Sequence, residues 1–203
     1  MVQAIPKPLT FEDYLEQYPD NGGIYELING EMVEVNPTGS HEEVVAYLVA
    51  EMNFEIRRQQ LTYFLPRTCT IKPNTPNTAY KPDVVVLDRA VLAAEPLWEK
   101  ASTITRKESA QLIIEVVSTN WRDDYGRKLT DYEEFGIAEY WIVDFKALGA
   151  TRYIGSPKVP TVSVYGLIDG EYQVSRFRGS DRILSAIFPG LQITAEQILT
   201  ATS

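Results

Sequence analysis

This sequence has almost no cysteine or histidine, and fewer bases than acids. Cys69 is its only cysteine and His41 its only histidine. A lone cysteine excludes an internal disulfide and a thiolate cluster for zinc, and a lone histidine excludes a zinc centre of the usual kind. Cys69 is therefore read as a packing residue. No Gly-x-Ser-x-Gly elbow, Walker loop or Gly-rich dinucleotide fingerprint occurs, so a Ser-His-Asp hydrolase and nucleotide-cofactor chemistry have no support. No stretch approaches the roughly 18 consecutive apolar residues of a membrane span. The start, MVQAIPKPLTFEDY, lacks the basic-then-apolar pattern of a secretory signal, which makes the cytoplasm the expected location.

Acids outnumber bases by 28 to 19, for a net charge of −9, and such a field repels phosphate at long range. Any nucleic-acid contact must therefore be local, and the basic spots that could make it are Arg57–Arg58, Arg106–Lys107, Arg122 with Arg127–Lys128, and Arg176 with Arg178 and Arg182. Each also reads as an ordinary solvated face. With 44% hydrophobic and 23% charged residues the composition is that of a folded globular protein. At 203 residues, one domain over 1–203 is expected, with a core at about 24–146 and a C-terminal β extension at about 147–203.

Along the chain, Thr10-x-x-Asp13 opens a short helix packed through Phe11, Tyr14, Leu15 and Tyr18. Asn29-Gly30 separates two alternating segments, which predicts a hairpin with strands at about 24–28 and 31–35. Ser40-His41-Glu42-Glu43 reads as a capping box opening a long helix that ends near Gln59 or Gln60. Its apolar stripe is Val44, Val45, Leu48, Val49, Met52 and Ile56. LTYFLPRTCTI reads as a strand whose Pro66 marks an edge position, a bulge or a strand end, and Val84–Leu87 as a buried strand entered by Asp83. A short helix over Val91–Trp98, a strand in QLIIEVVS (111–118), a helix over 124–134 stopped at Gly136 and a strand over 138–145 follow. The tail holds a hairpin turning at Asp169-Gly170 and a last helix capped at Thr194. The order implies a mixed β-sheet core flanked by helices, α/β or α+β, with an N-terminal hairpin and a C-terminal hairpin extension.

Within that outline Glu115 stands out, a carboxylate inside an apolar strand, where an ionised acid costs several kcal/mol unless a charge or a metal compensates it. Asp83 sits beside a second such run. If the two strands are neighbours, both acids can converge on one hard divalent cation; otherwise Asp83 caps its loop and Glu115 pairs with a lysine or arginine. Lys128 shares a helix face with Tyr125 and Tyr132, which turns it inward. It either reaches the acids or makes only a helix pair with Asp124, worth a few tenths of a kcal/mol. His41 opens its helix, or meets a substrate phosphate there. Glu26 and Glu31 flank the hairpin turn, where Glu26 can face a cleft or both can be plain surface acids. Glu42 and Glu43 complement the dipole of the long helix.

Pro82-Asp83 before a strand, Glu115-Val116-Val117-Ser118 at a strand end, Asp124 to Lys128 followed by Tyr132, Gly136 and Glu139-Tyr140-Trp141-Ile142-Val143-Asp144 together resemble the Uma-two family. That family is abundant in cyanobacteria and belongs to the PD-(D/E)XK, restriction-endonuclease-like superfamily. Tyr25 to Glu31, His41 and Phe188-Pro189-Gly190-Leu191 fit it too. The resemblance implies a restriction-endonuclease-like fold and a Mg2+- or Mn2+-dependent endonuclease acting on phosphodiester bonds of DNA. Asp83 and Glu115 would be the metal-binding acids, with the Val116 carbonyl as a further ligand. The superfamily pattern has a lysine two residues after the second acid, where this chain has Val117, and Lys128 is the candidate to replace it. Glu26, Glu31, His41 and Asp124 would line the cleft in supporting roles, and a homodimer would supply two sites for a two-stranded substrate. The alternative is a nuclease-like fold kept as a non-catalytic binding module for protein or nucleic acid.

Overall fold

A computed structural model of the chain describes residues 7–202. The first six residues and Ser203, which the reading of one domain over 1–203 took in and part of which served the leader-sequence reading, lie outside the described residues. The helices are α1 (Phe11–Glu16), α2 (Gly39–Gln59), α3 (Arg89–Leu92), α4 (Trp98–Ala101), α5 (Leu129–Phe135), α6 (Thr151–Ile154) and α7 (Ala195–Leu199). The strands are β1 (Ile24–Ile28), β2 (Glu31–Val35), β3 (Tyr63–Phe64), β4 (Thr70–Ile71), β5 (Val84–Asp88), β6 (Thr103–Ile104), β7 (Ala110–Val116), β8 (Glu139–Asp144), β9 (Thr161–Ile168) and β10 (Glu171–Phe177).

Six strands form the central mixed sheet in the order β10-β9-β8-β7-β5-β3. Within this sheet only β7 and β8 run parallel, because the π turn and α5 between them supply the crossover that a parallel pair needs, while β4 and β6 pair parallel in a small sheet of their own. The C-terminal hairpin of β9 and β10 extends this sheet at one edge, and its turn residues Asp169 and Gly170 take the positive φ that a two-residue hairpin demands. Because side chains alternate across the sheet, two apolar layers result. On one face Val84, Val86, Leu112, Ile114 and Val116 meet Val44, Leu48, Met52 and Ile56 of α2. Each of these α2 side chains contributes about 1.5–3 kcal/mol by leaving water. On the other face Val85, Ile113, Val117, Tyr140 and Ile142 meet Tyr125, Tyr132 and Phe135.

The N-terminal hairpin of β1 and β2 is a separate two-stranded unit. Asn29 and Gly30 have φ of 51° and 82°, and a side chain at Gly30 would collide with Pro8. Leu27 and Ala79 exchange two backbone hydrogen bonds, 2.9 and 2.8 Å, and so fasten the hairpin to the loop before β5. That clamp carries the neighbouring Glu26 into the interior.

Several local expectations are corrected. The long helix starts at Gly39 with Thr38 at its N-cap and no side-chain cap, so the box expected at Ser40 lies already inside the first turn. The segment expected as one strand around 61–71 is split into β3 and β4, since Pro66 removes a ladder donor between them. In place of a helix over 91–98 there are two single turns, α3 and α4. The former starts from Asp88, whose side chain accepts the Ala90 N–H. The helix expected over 124–134 begins as a π turn, Asp123–Lys128, and becomes α-helical only in α5. Glu115 is the penultimate residue of β7 rather than its middle.

Candidate active site

The pairing of β5 with β7 decides where the two acids meet. Val84 is level with Ile114 in an antiparallel ladder, so the next step outward brings Asp83 level with Glu115. Asp83 Oδ2 accepts the Val116 N–H at 2.7 Å, which ties the acid at the entrance of β5 to the end of β7. Val116 itself turns its side chain into the α2 layer and serves here through its main chain.

Lys128 comes to Glu115 from the helix packed over the same sheet face. Its Nζ lies 3.1 Å from Glu115 Oε2, 3.1 Å from Glu26 Oε1 and 3.8 Å from Asp124 Oδ1. It also stands 5.6 Å from the centre of the Tyr80 ring. Asp124 and Lys128 are both carried by the π turn, a device that concentrates at functional sites. Tyr132, one turn further on, donates its hydroxyl to Glu115 Oε1 at 3.0 Å. Glu26 Oε1 additionally accepts the Lys81 N–H at 3.0 Å. Val117 faces the same layer as Glu115 but brings only apolar contact.

Glu26, Glu115, Asp124 and Lys128 are buried, whereas the Asp83 side chain is 20% exposed. Asp83 is thus the acid of the group that opens to solvent. It lines a cleft of about 1020 Å³ together with His41, Lys81, Val117, Ser118 and Asn120. His41, at the start of α2, places Nε2 3.1 Å from Asp83 Oδ2. Its Nδ1 is buried without a hydrogen-bond partner, 3.7 Å from Glu42 Oε1.

The electrostatics follow from crowding acids around few bases. Burial pushes the Glu115 carboxyl well above the usual range; Lys128 opposes that shift, while Asp83, Asp124 and Glu26 reinforce it. Burial also raises Asp124, against the pull of Lys128, to about 7. For Lys128 burial works against the charge, but the surrounding acids, Glu115 first, more than offset it and hold the ammonium firmly protonated. Burial likewise disfavours a charged His41, yet the hydrogen bond and charge of Asp83 prevail and raise its pKa. Four carboxyl groups, Asp83, Glu115, Asp124 and Glu26, thus crowd one lysine and one histidine.

Among the described residues no three His, Cys, Asp or Glu side chains form a ready cation cage. Mg2+ does not require one, since it is held by one or two carboxylates and keeps waters or substrate phosphates as its other ligands. The donor chemistry of Asp83 and Glu115 fits that pattern.

Of the residues singled out in the sequence, Asp83, Glu115, Val116, Lys128, Glu26, His41 and Asp124 come together. Glu31 does not: it begins β2 beside the hairpin turn, opposite Ile28, where it is exposed, although it lies on the same hairpin face as the buried Glu26. Tyr80 and Lys81 were not foreseen, although they immediately precede Pro82-Asp83. The Lys81 Nζ is hydrogen-bonded to Thr70 Oγ1 at 3.1 Å and stands 4.9 Å from the centre of the Tyr18 ring, with burial lowering its pKa. The proximity of Lys81 to Asp83 in sequence was the available signal.

Comparison with known proteins places these residues in context. Residues 11–196 match the Uma2 family, described as "Putative restriction endonuclease". A solved structure, of a putative nuclease belonging to DUF820 from Anabaena variabilis, is similar over 96% of this chain and 99% of its own, with a TM-score of 0.69 at 18% identity. At that identity the likeness shows the shared fold, the six-stranded mixed sheet with its N-terminal hairpin. No functionally curated protein matches the chain.

Proposed function

The chain belongs to the Uma2 family, and from that premise we propose that it is a metal-dependent endonuclease hydrolysing phosphodiester bonds of DNA. The observation that carries this reading is the convergence of Asp83 and Glu115 across β5 and β7, with Lys128 3.1 Å from Glu115. Asp83, Glu115 and the Val116 carbonyl would hold Mg2+ or Mn2+. When bound, such an ion lowers the pKa of a coordinated water and neutralises charge developing on the phosphate. Lys128 favours the ionised form of Glu115 against its burial, holds it in place, and stands for the lysine that Val117 lacks. Tyr132 fixes the other Glu115 oxygen, and His41 orients Asp83 from the cleft side. The scissile phosphate enters from the cleft, where Asp83 is exposed. One chain carries one such centre, so cutting both strands of a duplex calls for two copies.

A second reading, a non-catalytic binding module, has one observation in its favour: Lys128 and Tyr132 occupy both oxygens of Glu115. Cleavage of single- and double-stranded DNA with Mg2+ or Mn2+, by wild type and by Asp83→Ala, decides between them. The nuclease reading expects metal-dependent products that fall about 100-fold or more in the variant. Equal activity in both, or none with any divalent metal, overturns it.

A further inference from the structure

Outside the acid cluster, the fold gathers a set of cations that the sequence keeps far apart. Arg122 follows Trp121 at the end of the Ser118–Asn120 cleft wall, and its guanidinium lies 4.6 Å from the Trp121 ring centre. Arg152 lies in the same way 4.7 Å from the Tyr153 ring. Trp121 and Tyr153 meet edge to face at 6.5 Å. From the C-terminal hairpin, Arg176 donates its Nε–H to the Tyr153 carbonyl. The three guanidinium groups are exposed, and none forms an ion pair with a carboxylate among the described residues, unlike Arg58 and Arg127. In a chain with nine surplus negative charges, two unpaired arginines lying over aromatic rings and a third bonded to the main chain of Tyr153 are a local concentration of positive charge.

We infer that Arg122 and Arg152, lying over Trp121 and Tyr153, and Arg176, held by the Tyr153 carbonyl, form the surface that grips the phosphate backbone of duplex DNA and leads it into the cleft. The assignment rests on the nuclease reading for its choice of polyanion. Three features argue for a backbone contact. Planar guanidinium groups suit phosphate oxygens. The aromatic faces are already covered by the arginines, so they are not free to stack on unpaired bases. The platform also adjoins Asn120, which lines the cleft containing Asp83. Tyr125, in the π turn that carries Lys128, stacks on Tyr153 at 4.6 Å and holds the platform in a fixed position relative to the acids.

The test is equilibrium binding of a fluorescent DNA duplex without divalent metal, over a range of salt, so that no cleavage is needed. Wild type, the triple variant Arg122→Ala/Arg152→Ala/Arg176→Ala and the triple Arg→Lys variant are compared, with near-ultraviolet circular dichroism to establish folding. The alanine variant is expected to bind more than about tenfold more weakly, with a slope of log K against log salt smaller by about 3, while the lysine variant keeps that slope. Unchanged affinity in the folded alanine variant overturns the surface, and so does equal competition by polyglutamate or by RNA at matched charge. If wild type cleaves DNA while the alanine variant binds normally, the surface fails and the nuclease reading stands. If binding depends on the arginines but no metal gives cleavage, the surface stands and the nuclease reading fails. A wild type that binds no DNA overturns both.

Discussion

Lys128 lies 3.1 Å from Glu115 although it stands thirteen positions further along the chain, at the end of a π turn, and the position two residues after Glu115 is occupied by Val117. The amine reaches the acid from a neighbouring helix instead of from the strand itself. This relationship has consequences for stability as well as for chemistry.

Removing the lysine strands buried carboxylates. Lys128→Met is expected to lower stability by about 3–5 kcal/mol, since Glu115, Glu26 and Asp124 lose their shared counter-charge. Adding Glu115→Gln should recover part of the loss, with a coupling energy of about 1–3 kcal/mol in urea unfolding. Strictly additive losses would contradict a direct pair.

Moving the amine back onto the strand is the complementary experiment. Val117 faces the same layer as Glu115 and lines the cleft, so a lysine there can reach the acids or the substrate. Val117→Lys placed in Lys128→Met is expected to restore metal-dependent cleavage about tenfold or more above the single Lys128→Met variant. No recovery in a folded double variant would argue that Lys128 is purely structural.

The raised carboxyls set the pH dependence. The Asp124 carboxyl, lifted by burial to about 7 from an ordinary 3.8, stays protonated in the folded state where the unfolded chain has already ionised. That contribution is complete below pH 3.8 and is lost as pH rises to about 7. His41, raised above 6.5, adds stability below that value and loses it as pH climbs through its folded pKa, so both groups act in the same sense. The denaturation midpoint of the metal-free protein should therefore fall from about pH 5 to pH 8, and Asp124→Asn should flatten the fall. A midpoint independent of pH in wild type would contradict this assignment.

Glu26 and Glu31 stand five residues apart yet differ in kind. Glu26 is buried and accepts from the Lys81 N–H while pairing with Lys128, so Glu26→Ala should cost about 2–4 kcal/mol. Glu31 is exposed, and Glu31→Ala should stay within about 0.5 kcal/mol. Thermal unfolding of the two variants checks the contrast directly.

Much of this arrangement was legible in the sequence for identifiable reasons. Asn29-Gly30 and Asp169-Gly170 demand positive φ at adjacent positions, and hairpins formed at both. The stripe Val44, Leu48, Met52 and Ile56 has helical period, and α2 buries it. Asp83 and Glu115 drew attention because acids beside apolar strands need partners, and the strands that carry them proved to be neighbours. What could not be read depends on contacts distant in sequence. Glu26 is drawn inward by the Leu27–Ala79 clamp, which no local pattern encodes. The π turn has the same residue types as an α-helical turn, so its extra residue leaves no mark in composition. The start of α2 at Gly39 lacks a side-chain cap and hence lacks the signal by which starts are recognised. The arginine platform joins residues 121–122, 152–153 and 176, which meet only once the sheet has formed.

The central claim is that Asp83 and Glu115 share one divalent cation. Calorimetric titration of Mn2+ into wild type, Asp83→Asn and Glu115→Gln tests it most directly. The account predicts one binding site in wild type, weakened more than about tenfold by either substitution. No Mn2+ binding by wild type, or binding that Glu115→Gln leaves unchanged, would contradict it.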